Sequence, residues 1–157
     1  MKEIPKLAVS VFICLIAGFL GSIATISSIN TWYASLTKPP WTPPNWLFGP
    51  IWTTLYILMG IAAFLVWREG FQKKEVKIAL GIFSLQLILN ILWSVVFFAL
   101  KSTLGAFIII IILWTTILLT MITFYRVSKP AAAILIPYIT WVTIATALNY
   151  TIYTLNI

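Results

Sequence analysis

Five long apolar stretches, separated by short polar or proline-rich segments, set the pattern of this chain. Residues 7–26 carry no charge and have about the length a helix needs to cross a bilayer. Lys2 and Lys6 precede that run as in a signal peptide. The run is too long for a signal-peptide core and further spans follow, so it is read as a retained helix. The same pattern predicts helices over 48–67, 78–100, 104–125 and 131–153. The second opens with Gly49-Pro50, since proline is tolerated in a first turn. Residues 68–77 form a short charged loop, and the two later loops are only a few residues long. Spans three, four and five are therefore expected to be antiparallel neighbours. Pro137 is expected to bend the fifth span. The expected fold is an all-α integral membrane protein, one five-helix transmembrane domain over residues 1–157, with a long loop at 27–47.

That loop and the turn after it, residues 32–52, hold four of the eight tryptophans and five of the eight prolines. Proline lowers the entropy lost on ordering, and tryptophan offers a flat apolar face with one N–H donor. The stretch suits a rigid lid over a flat hydrophobic ligand. It equally suits an aromatic belt at the headgroup level.

Composition supports the membrane reading: 62% of residues are hydrophobic, 8% are charged and the mean hydropathy is +1.07. Soluble domains carry roughly 25% charged residues. The formal charge of +7 does not imply a nucleic-acid partner; the placement of the basic residues sets topology instead. The amino terminus and loops two and four share one side and carry eight of them: Lys2, Lys6, Arg68, Lys73, Lys74, Lys77, Arg126 and Lys129. The other side has two, Lys38 and Lys101. This bias places the amino terminus in the cytoplasm and the Trp-rich loop and carboxyl terminus outside a plasma membrane.

The absence of histidine excludes an imidazole ligand to haem iron, and the single Cys14 offers neither an intrachain disulfide nor a metal cluster. No span contains a carboxylate, and no hydrolytic triad or carboxylate pair exists. No cofactor or metal is expected. Three helical stripes remain. Gln86, Asn90, Trp93, Ser94 and Phe97 share one face of span three. Tyr138, Trp141, Ala145, Leu148 and Asn149 share one face of span five, and Trp52, Tyr56, Gly60 and Ala63 one face of span two. Such stripes could line an apolar pocket with a few polar groups, or serve as interhelical glue; spacing alone leaves both open. In span one, Ala17, Gly18, Gly21 and Ser22 allow close helix approach. Leu119, Tyr125 and Lys129 fit the loose cholesterol pattern. Asn149-Tyr150-Thr151 fits a glycosylation sequon but lies within a span.

The order of these motifs resembles the translocator protein family, the tryptophan-rich sensory proteins (TspO/MBR), in a bacterial form. The resemblance rests on residues 35–44 (Ser-Leu-Thr-Lys-Pro-Pro-Trp-Thr-Pro-Pro), 48–52 (Phe-Gly-Pro-Ile-Trp) and 86–94 (Gln-Leu-Ile-Leu-Asn-Ile-Leu-Trp-Ser). It continues through 137–141 (Pro-Tyr-Ile-Thr-Trp) and 147–150 (Ala-Leu-Asn-Tyr), and so covers essentially the whole chain. It implies a five-helix bundle, often a homodimer, with a pocket opening toward the first loop. It implies binding of porphyrins, above all protoporphyrin IX, and of isoquinoline- or benzodiazepine-type ligands, with sterols as a further class. It implies a receptor or sensor, or alternatively a transporter of porphyrins and other amphiphiles. Some bacterial members are associated with light- and oxygen-dependent breakdown of protoporphyrin, and the positions tied to that chemistry match Trp52 and Trp141. Pocket positions match Tyr33, Tyr56, Asn90, Trp93, Trp141 and Ala145, to which the loop adds Trp41, Pro43 and Pro44. Thr154 stands where the family's sterol-recognition segment has arginine, which argues against tight sterol binding there.

Overall fold

The computed structural model describes residues 2–157. The first span is α1, Glu3–Ser28. A single turn in the loop is α2, Trp32–Ser35. The second span is α3, Asn45–Trp67. The third is α4, Lys74–Ser94, which runs on into a π-helical turn, Val95–Ala99. The fourth is α5, Thr103–Val127. The fifth has two parts, α6 over Lys129–Ile134 and α7 over Ile136–Leu155. All five spans are long and apolar enough to cross a membrane.

The spans close into a ring. α1 lies between α3 and α4, α4 packs on α5, α5 packs on α6 and α7, and α3 returns to α6. α3 meets α7 only weakly, so the bundle is tight at the α6 end and parts toward the loop. Lipid is as apolar as leucine, so close packing rather than water exclusion holds such helices together. Accordingly the seams are built on small residues: Ala17, Ala62, Ala79, Ala106 and Ala131 are all buried. Phe12, Ile88 and Ile108 point outward. Gly60 is the tightest point, since a Cβ there would lie 2.5 Å from Val11 Cα. Threonine hydroxyls are quiet in the bilayer because most bond their own helix, as Thr116 and Thr146 do to the carbonyls four residues back.

Two prolines act where the pattern only partly foresaw. The expected helix opening at Phe48 begins a turn earlier, at Asn45, so Pro50 lies inside α3 rather than in its first turn. Its missing N–H leaves the Trp46 carbonyl without a helical partner. Pro137 breaks the fifth span at Leu135, two residues before it, because its ring excludes the carbonyl of Ala133. Leu135 N–H bonds Ala132 instead, three residues back, and the chain resumes as α7.

Candidate functional site

The parting of α3 from α7 leaves a cavity of about 470 Å³, within the roughly 300–1,000 Å³ range of small-molecule sites. Its back wall is aromatic. Trp52 leans on Tyr56 (ring centroids 5.7 Å) and on Trp93 (6.5 Å), and Trp93 on Phe97 (5.5 Å). Across from them α7 contributes Trp141, Ala145, Leu148 and Asn149, with Trp141 edge-on to Phe48 at 6.0 Å. α1 supplies a smoother wall of Gly18, Gly21, Ser22 and Thr25. A Cβ on Gly18 would sit 2.6 Å from the Tyr56 ring, so that glycine lets Tyr56 lie flat against α1. Among the described residues, no charged one lines the cavity.

The roof is the Trp- and Pro-rich loop. α2 drops the Tyr33 ring inward, 2% exposed, against Phe97 and Phe98. Burial pushes the Tyr33 phenol up to about 12, so it stays a neutral donor at ordinary pH. The sequence invites Lys38 to attract a ligand carboxylate at the mouth. The structure gives it a different post: Nζ donates to the carbonyls of Tyr33 (2.8 Å) and Leu36 (3.1 Å) and lies over the Tyr33 ring at 4.7 Å. It thus closes the end of α2, where cations are favoured. Asn156, just past α7, holds the loop down. Its Oδ1 accepts from Thr37 N–H (2.9 Å), while Nδ2 donates to the Thr37 carbonyl (2.8 Å).

The tryptophans of the loop and the turn after it divide between the cavity side and the outer surface. Trp52 faces inward, and Trp32 meets Phe97 edge-on at 5.6 Å. Trp41 and Trp46 are 50% and 73% exposed and face away. Of the candidate ligand contacts, Tyr33, Pro43, Trp52, Tyr56, Trp93, Trp141 and Ala145 come together around the cavity. Trp41 and Pro44 do not line it; Pro44 sits exposed at the N-cap of α3.

Asn90 also stands apart from the cavity, behind Tyr56. The Tyr56 hydroxyl donates to Asn90 Oδ1 (2.8 Å) and Asn90 Nδ2 donates to Tyr138 Oη (2.7 Å). Tyr138 in turn donates to Gln86 Oε1 (2.7 Å). This chain joins α3, α4 and α7 beneath the cavity floor, and every atom of the Asn90 amide oxygen and nitrogen is engaged. Asn90→Leu should therefore act on stability: loss of about 1–2 kcal/mol and a lower melting temperature in detergent are expected. An unchanged melting temperature with weakened ligand affinity would return Asn90 to the ligand side. Asn149 has a double part, since it lines the cavity while its Oδ1 accepts from Trp93 Nε1 (3.0 Å) and its Nδ2 donates to the Thr103 carbonyl (2.9 Å). Two buried donors in the wall lack partners, Tyr33 Oη and Trp141 Nε1. An unpartnered buried donor costs roughly 1–3 kcal/mol.

Phe97 and Phe98 both line the cavity from the π-helical turn, in which Leu100 N–H bonds the Val95 carbonyl five residues back (2.9 Å).

The TspO/MBR family profile matches residues 10–155. This chain belongs to the TspO/MBR family. Its relatives span nearly the whole chain. Tryptophan-rich protein TspO of Chlorobaculum tepidum is 46% identical over 155 residues, 99% of this chain and 98% of that one. Translocator protein of Bos taurus is 40% identical over 137 residues, 86% of this chain and 80% of that one. Tryptophan-rich sensory protein of Cereibacter sphaeroides is 36% identical over 140 residues, 87% of this chain and 85% of that one. Family membership and five apolar helices together make this a multi-pass membrane protein. In this TspO/MBR chain the motifs that carry the resemblance fall on the cavity wall, its roof and the polar chain below.

Proposed function

We propose that this protein is a membrane receptor or sensor that binds a porphyrin, protoporphyrin IX above all, in the cavity under the loop. The observation that carries the reading is an uncharged cavity of about 470 Å³ walled by the aromatic rings of Trp52, Tyr56, Trp93, Phe97 and Trp141. Indole and phenyl faces stack on a flat ring. Carboxylates of such a ligand stay at the mouth, because ionised groups are costly in an uncharged apolar site. Trp52 and Trp141 both line the cavity and are the proposed electron donors in light- and oxygen-dependent breakdown of the ring. Excited porphyrin draws an electron from an indole or passes its energy to oxygen, so neither path needs an acid–base residue. The test is to illuminate purified protein with protoporphyrin IX, with and without oxygen, and follow absorbance. A new product that requires protein, light and oxygen together is expected; loss of porphyrin at the protein-free rate would refute the degrading activity.

The names of relatives also raise translocation. We read the protein as a receptor rather than a secondary transporter, because the sequence has no inverted repeat and no ion-coupling residue within its spans. We propose a plasma-membrane orientation with the amino terminus inside and the loop outside, on the eight-to-two distribution of basic residues, and a homodimer on the family resemblance alone. Ser35 is exposed on the loop and Cys14 is buried. Ser35→Cys in a Cys14→Ala background should react with an impermeant thiol reagent added to intact cells. Reaction only after lysis would invert the topology.

A further inference from the structure

At the end of the bundle away from the loop, a second concavity of about 440 Å³ lies where α5 ends and α6 begins. Its lower part is apolar, formed by Met121, Ile122, Ala133 and Ile136. Its upper part is basic and aromatic, formed by Arg126, Lys129 and Tyr125. The groove exists for two local reasons. The break at Leu135 lets α6 run as a separate short segment beside α5, and Ala132 and Ala133 place only methyl groups at the junction.

We propose that this groove binds a phospholipid with a net negative headgroup, the phosphate between Arg126 and Lys129 and an acyl chain along Met121, Ile122 and Ile136. Three observations support that occupant. First, neither cation has a carboxylate partner among the described residues, where the one ion pair is Arg68–Glu69. Second, Lys129 is already turned into place, with Nζ 5.5 Å from the centre of the Tyr125 ring, and Tyr125 is 57% exposed as an interfacial aromatic should be. Third, the groove is at the end of the bundle that carries eight of the ten basic residues, so the local field favours an anion. The shape also decides between lipids. The loose sterol pattern of Leu119, Tyr125 and Lys129 places a hydroxyl, not a charge, beside Lys129 and leaves Arg126 without a role. Leu119 does not line the groove. A basic pocket between membrane helices is the recurring form of a site for acidic lipid headgroups.

The test uses the whole chain in detergent, titrated with phosphatidylglycerol, phosphatidylcholine or cholesterol, with bound lipid counted by native mass spectrometry. The wild type should hold one phosphatidylglycerol in preference to phosphatidylcholine. Arg126→Gln and Lys129→Gln should each weaken that lipid about fivefold and the pair tenfold or more, with phosphatidylcholine unchanged. Ala133→Phe keeps both charges but fills the groove, and should lose the same lipid; Ala133 is exposed, so the bundle tolerates it. Lys73→Gln with Lys74→Gln removes two charges elsewhere on that face and should change little. Equal phosphatidylglycerol binding by the wild type and the Arg126/Lys129 pair would overturn the site. So would equal loss in the Lys73/Lys74 pair, which would mark diffuse surface charge, or preferential cholesterol binding lost in Ala133→Phe.

Discussion

Gly60→Ala should lower the melting temperature sharply, and Gly60→Leu should prevent the bundle from forming. A methyl group at position 60 meets Val11 Cα at 2.5 Å and Val11 N at 2.9 Å. Those are backbone atoms of α1, so no rotamer change relieves the clash and the two helices must move apart. Overpacking of this kind costs typically 1–3 kcal/mol for small insertions and more for large ones. The contact is also the seam on which the cavity depends, because α1 and α3 bear two of its walls. Gly49→Ala is the internal control. Nothing lies within 4 Å of a Cβ at Gly49, so it should melt at or above the wild-type temperature. Gly60→Ala melting with the wild type would mean that α1 and α3 are not in contact as described.

The second large effect is on chemistry. Trp52→Phe and Trp141→Phe should each retain most porphyrin binding, and the double variant should form light-driven product at least tenfold more slowly. Phenylalanine keeps an aromatic face toward the cavity but is much harder to oxidise. At position 141 it also removes a buried N–H that has no partner, so the fold should not suffer. Measuring rate at saturating porphyrin separates loss of turnover from loss of affinity. Wild-type rates in the double variant would reduce the protein to a container for photochemistry that the porphyrin performs alone.

The aromatic wall was legible in the sequence because each stripe follows regular α-helical spacing: Trp52 with Tyr56, Trp93 with Phe97, Trp141 with Ala145. Legibility failed where the backbone departs from that spacing or where partners decide. Phe98 enters the wall through a π-helical turn that no periodicity announces. Pro50 gave no sign that α3 begins ahead of it, since Asn45 and Trp46 follow four proline-rich residues that read as loop. Asn90 shares a stripe with Trp93, yet its amide is taken up by two tyrosines from other spans. Lys38 is drawn inward by two carbonyls that appear only once α2 has formed. The small residues of α1 were visible as a packing face; that Gly21, Ser22 and Thr25 also bound the cavity follows from where α1 stands in the ring.

If porphyrin is the ligand, it occupies the cavity itself. Ala145 lines it from α7 and is partly exposed, so a larger side chain there projects into empty space rather than into a packed seam. Purified wild type and Ala145→Trp should be titrated with protoporphyrin IX, reading the porphyrin absorbance shift and the quenching of tryptophan fluorescence, with melting temperatures taken in parallel. Saturable binding to the wild type and at least a tenfold loss of affinity in Ala145→Trp at an unchanged melting temperature are expected. Equal affinity in the two proteins would place the porphyrin elsewhere, and no saturable binding to the wild type would contradict the proposed function outright.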